Sequence, residues 1–119
     1  MIRKYFPTLS ELIDRLSIVQ LKEVFIVEHK EEYAQEIRDI MHNIDIELNN
    51  VNDGDIDASF IRNVVVLSQM NLHIWHNESA CRAGGSGGNL ALTHGINGIR
   101  QAAKNAINSE LGGPIDHKV

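Results

Sequence analysis

Apolar residues along the chain recur at steps of three and four, the spacing of one face of an α-helix, and no stretch alternates as a half-buried strand does. Four helices follow from this pattern. The first is predicted over residues 9–27, with Leu9, Leu12, Ile13, Leu16, Val19 and Val24 as its apolar stripe. Thr8-Leu9-Ser10-Glu11 reads as a capping box, in which Thr8 satisfies a free amide of the first turn and Glu11 reaches back to the Thr8 amide. The second helix, over residues 30–49, carries Tyr33, Ile37, Ile40, Met41, Ile44 and Leu48 on one face and charged residues on the other. A turn-rich segment at residues 50–55 leads to a third helix over residues 58–82. The fourth, over residues 89–111, has the stripe Leu92, Ile96, Ile99, Ala103 and Ile107 and stops at Gly112-Gly113-Pro114. Pro7 and Pro114 are the only prolines, so none interrupts the helices between them. The pattern predicts an all-α single domain over residues 1–119, an antiparallel four-helix bundle that is expected to oligomerise.

The regular stripe breaks where polar residues enter it. In the third helix the stripe begins as Phe60, Val64 and Leu67, then continues at the same steps through Asn71, Trp75, Glu78 and Arg82. In the first helix Asp14 lies in line with Ile18, Leu21 and Phe25, while Arg15 and Lys22 share an adjacent face. In the fourth, Thr93, Asn97, Arg100 and Lys104 flank the stripe. A charge at the edge of a core is costly unless it pairs, opens onto water or binds something charged. Five cations (Arg15, Lys22, Arg82, Arg100 and Lys104) stand against Asp14 and Glu78 in a chain whose formal net charge is −5, so the local sign opposes the global one. Arginine forks suit phosphate oxygens, Trp75 offers a stacking face, and Asn71 or Asn97 could read polar edges of a base. The alternative is an internal network in which Asp14 pairs with Arg100, and Glu78 with Arg82 or Lys104.

Composition narrows the classes further. The length, 119 residues, suits one domain with a sufficient core. A single cysteine, Cys81, excludes an internal disulfide and fits a reducing compartment. Net negative charge argues against a general nucleic-acid coat. The longest uncharged apolar run, residues 63–67, is too short to cross a bilayer, and residues 1–5 lead into no signal-type apolar core, so a cytoplasmic protein is expected. His73, His76 and Glu78 lie close together, but no motif supplies a third metal ligand, and neither a cofactor nor a metal is expected. Ser17 and Ser68 have no positioned His/Asp partners, and no catalytic residue is assigned. Gly84-Gly85-Ser86-Gly87-Gly88 lacks the Lys-Ser/Thr and preceding strand of a P-loop and reads as a flexible connection.

Three segments carry a resemblance. Residues 13–22, with Asp14-Arg15-Leu16-Ser17-Ile18 and then Lys22, resemble the Asp-Arg/Lys-Leu-Ser/Thr-Ile-x-x-x-Lys signature of uncharacterised bacterial helical families often found beside glycan-biosynthesis genes. Asn71, Trp75, Glu78 and Arg82 are similar to their Asn-x-x-Leu-Trp-x-x-Glu-x-x-x-Arg segment. Asn97, Arg100, Lys104, Ile107 and Asn108 are similar to their Leu-Asn-x-x-Arg-x-x-x-Lys-x-x-Ile-Asn helix. The chain departs from them in its glycine-rich segment and at Asn77-Glu78-Ser79, where these families often carry a further acidic residue. Similar short proteins occur in tailed-phage genomes, and phages encode small proteins that sequester nucleotide immune signals. These families have no established activity, but their motifs pick out the residues that helical phase flags, so the expected ligand site is Asp14, Arg15, Lys22, Asn71, Trp75, Glu78, Arg82, Asn97, Arg100 and Lys104, and its surplus of cations points to a phosphorylated small molecule as partner. The expected function is sequestration of a nucleotide-type ligand such as an ADP-ribose derivative or a cyclic nucleotide, in the host cytoplasm if the chain is phage-encoded. Two alternatives stand beside it: an enzyme or accessory acting on nucleotide sugars, with Asp14 or Glu78 as acid/base, and a structural oligomeric adaptor.

Overall fold

The computed structural model describes residues 7–82 and 90–111, with side chains for residues 7–79 and 94–111. The glycine-rich residues 84–88, the stop signal at 112–114 and the side chains of Cys81, Arg82, Leu92 and Thr93 lie outside the described residues. Four helices form an antiparallel bundle: α1 (Leu9–Phe25), α2 (Lys30–Leu48), α3 (Ala58–Arg82) and α4 (Leu90–Glu110).

Local chemistry sets the helix ends. The capping box at the start of α1 is formed: the Glu11 amide donates to Thr8 Oγ1 at 3.3 Å and the Thr8 amide donates to Glu11 Oε1 at 2.9 Å. At its other end Ile26 is extended, so α1 stops two residues short of the predicted Val27. His29 then takes a left-handed conformation (φ 65°) that reverses the chain into α2. The Lys30 ammonium donates to the Glu23 carbonyl at 2.7 Å, satisfying one of the free carbonyls of the last turn of α1. Asp57 caps α3 by accepting from the Phe60 amide at 3.0 Å.

The order of contacts defines the topology. Leu9 clusters with Phe60 and Leu67, Asp14 bonds Asn71, and Phe25 meets Trp75, so α1 and α3 point the same way. Leu9 also clusters with Ile107, and Asp14 with Arg100 further back along the chain, so α4 runs opposite to both. Helix α1 is central. It packs against all three others, whereas α2 rests chiefly on α1 through Leu12, Val19 and Ile40. The main core, Leu9, Phe60, Leu67, Ala103 and Ile107, joins α1, α3 and α4.

The α4 stripe differs from the sequence expectation. Ile96, Ala103 and Ile107 are buried, but Ile99 is 51% exposed and Arg100 occupies the seam between Ile96 and Ala103. Positions 96, 100, 103 and 107 follow the 4-3-4 spacing of a packed seam, and one residue back from 100 turns the side chain ~100° away. The same substitution at the two isoleucines should therefore have different costs. Ile107→Val removes a methyl from a fully buried site and is expected to cost about 1 kcal/mol, against nearly nothing for Ile99→Val, as measured by urea unfolding. Val24 on α1 and Met41 on α2 are likewise exposed rather than part of their stripes.

Candidate functional site

A polar layer interrupts the core midway along the bundle. Asp14 on α1 is 7% exposed, and its carboxylate meets donors from two other helices. The Arg100 guanidinium forks onto it, with Nε donating to Oδ1 at 3.0 Å and Nη2 to Oδ2. Asn71 Nδ2, itself buried, donates to the same Oδ1 at 2.8 Å. Arg100 Nη1 reaches Asn97 Oδ1 at 3.4 Å. A bidentate pair fixes two planar groups in one orientation, and burial removes the water that would compete for them. The Asp14 to Arg100 pairing is the one the internal-network alternative expected, and Asn71 and Asn97 belong to it.

An open cleft of about 290 Å³ lies over this layer. Its floor is α1, through Glu11, Asp14, Arg15, Ile18, Val19 and Lys22; Glu36 of α2 and Lys104 of α4 form its sides. The cleft exists because α2 packs on one flank of α1 and α4 on the other, leaving the strip between them open. Four of the residues expected at the site, Asp14, Arg15, Lys22 and Lys104, are thus brought together there from positions up to 90 apart in the chain (104 − 14).

The charges in the cleft are unevenly matched. Asp14 is held by Arg100, and Glu11 accepts from the Thr8 amide and hydroxyl. Among the described residues the ion pairs are Asp14 with Arg100 and His29 with Glu32, so Arg15, Lys22 and Lys104 have no ion-pair partner there. Lys22 lies in the last turn of α1, where a cation also complements the helix dipole.

The other expected residues sit elsewhere. Trp75 is half-buried and does not line the cleft; it stacks on Phe25 with ring centroids 6.1 Å apart and planes 25° apart. Glu78 is exposed and forms no ion pair among the described residues, and the Arg82 side chain lies outside them. Among the described residues no group of three or more His, Cys, Asp or Glu side chains converges as a metal-ligand set. Ile18, Val19, Glu11 and Glu36 line the cleft without being among the expected site residues. The first three share a helical face with Arg15 and Lys22 and were legible by phase, whereas Glu36 enters only through the packing of α2 on α1.

No described helix is long and apolar enough to cross a membrane. Compared with protein-family models, with curated proteins and with solved structures, the chain matches none.

Proposed function

We propose that the protein binds a phosphorylated, nucleotide-type small molecule and holds it without turnover. The observation that carries this reading is the trio Arg15, Lys22 and Lys104 around an open cleft, with no ion-pair partner among the described residues. With Asp14 paired to Arg100, the three cations stand against two carboxylates of the cleft, Glu11 and Glu36, and phosphate oxygens are the strongest acceptors for such groups. Binding is favoured over catalysis because both oxygens of Asp14, the buried acid of the cleft, already accept from Arg100 and Asn71. A substrate would have to displace those donors before Asp14 could take a proton from it. Sequestration of a nucleotide immune signal in a host cytoplasm, by a phage-encoded chain, is the particular role proposed; the resemblance of its three sequence segments supports it.

Self-association belongs to the same proposal. Ile61, Val65 and Leu72 lie exposed at helical spacing on α3, and Ile99 is exposed on α4, which provides apolar surface for a second copy.

A second reading is favoured by the Asp14 and Arg100 pair itself. A buried bidentate pair in the middle of a bundle fixes helix register, and a structural adaptor needs nothing more.

A thermal-shift panel of ADP-ribose variants, cyclic di- and trinucleotides and nucleotide sugars separates these readings, with each ligand recovered and chromatographed afterwards. Ligand at roughly 100 times its Kd adds about 2.7 kcal/mol, enough to raise the Tm of a domain this size by several degrees. A shift with intact ligand is expected. A shift with altered ligand would instead establish an enzyme, and no shift with any compound would leave the structural reading.

A further inference from the structure

The end of α1 carries an aromatic cluster that the cationic cleft does not include. Phe25, the last residue of α1, stacks on Trp75 and meets His76 edge-on, with centroids 5.3 Å apart and planes at 74°. Phe25 is nevertheless 48% exposed, and His76 is exposed too. Here two neighbouring rings hold it in place while about half of its surface stays in water. Its position relative to the cleft is set by the helix: three residues beyond Lys22, it lies about 4.5 Å further along α1 and ~60° around it. The aromatic surface therefore starts about one turn past the last cation of the cleft.

A phosphorylated nucleoside presents the complementary arrangement, anionic oxygens at one end and a planar π face one sugar away. We infer that the Phe25, Trp75 and His76 cluster is the subsite for the planar base of the ligand, an inference that rests on the phosphate reading of the cleft. Stacking tolerates different bases, since every base has a π face, so this subsite adds affinity for nucleosides as a class. The His76 ring nitrogens supply hydrogen-bonding groups at its rim.

The test compares ADP, inorganic pyrophosphate and adenosine on the full-length chain, by calorimetry and by the emission of Trp75, the single tryptophan of the chain. ADP is expected to bind roughly 10-fold tighter than pyrophosphate and to change Trp75 emission, which pyrophosphate leaves unchanged. Phe25→Ala should bring ADP down to the pyrophosphate level without altering pyrophosphate binding; Phe25→Tyr should restore the difference and Phe25→Leu should not. Equal binding of ADP and pyrophosphate, or an equal loss of both in Phe25→Ala, would overturn the base subsite and leave the phosphate reading intact. Binding of adenosine and ADP with equal affinity, with none of pyrophosphate, would overturn the phosphate reading while retaining the aromatic subsite. No binding of any of the three overturns both.

Discussion

Replacing Asp14 by alanine is expected to destabilise the fold by about 3–4 kcal/mol, among the larger effects a single substitution produces. The substitution strips the partner from a guanidinium whose side chain is only 25% exposed and leaves the buried Asn71 amide without its acceptor. Each of those losses has a cost of its own, because a donor taken out of water and left unmade forfeits its hydration without return. Urea unfolding followed by far-UV circular dichroism measures it, with the midpoint falling and the slope unchanged. The triple variant Asp14→Leu, Asn71→Leu, Arg100→Met should recover much of the loss, since an apolar set of similar bulk has neither a charge to desolvate nor a buried donor left unpaired. A single Asp14→Ala that unfolds like the native chain would show that Arg100 finds water when its partner is removed, and the polar layer would then have no structural weight.

The second large effect concerns binding rather than stability. Lys104→Ala, Lys22→Ala and Arg15→Ala are each expected to weaken a phosphorylated ligand by about 10- to 100-fold, since a hydrogen bond to a charged group contributes about 1.5–3 kcal/mol. Combined, they should take binding out of measurable range. The Tm should hardly move, because none of the three is in an ion pair among the described residues and substitutions at such sites stay within about 0.5 kcal/mol. Affinity of the native chain should also fall as sodium chloride is raised, the partly open cleft being accessible to counter-ions. Arg100 is unsuited to this test, although it stood beside Lys104 among the expected binding residues. Its guanidinium is engaged by Asp14, so Arg100→Ala would lower stability and affinity together and the two causes could not be separated. Loss of Tm in the Lys104, Lys22 or Arg15 variants without any change in affinity would favour the structural adaptor.

The helical phase of the chain made several of these residues legible and misplaced others. Asp14, Arg15 and Lys22 were visible because they sit on one helix, where ~100° per residue is enough to assign neighbours. Asn71 was visible as an amide in a hydrophobic stripe, and it does occupy a core position. The pattern places Arg100 beside a stripe that runs through Ile99, whereas in the structure it replaces Ile99 in the seam. A shift of one residue changes the choice between two adjacent phases, and periodicity alone does not make that choice when a charged residue can pair internally. Helical phase does not show that Trp75 lies outside the cleft and against Phe25, because that contact arises only from α1 and α3 running in the same direction, so that their later residues meet at the same end.

By itself the sequence determined the four helices, the capping box at Thr8 and the presence of polar side chains in core-facing stripes. These follow from local rules: hydrogen bonding within a turn, glycine and proline punctuation, and the 3.6-residue repeat. Only the tertiary structure decided which charges pair and which remain open. That the Asp14 to Arg100 pair forms, one of two arrangements the sequence leaves open, and that Lys104 joins Arg15 and Lys22 across a cleft instead of pairing with Glu78, depends on how α2 and α4 flank α1. The physical reason is that an ion pair is settled over a few ångströms between helices far apart in sequence, a distance set by packing and absent from any one-dimensional pattern.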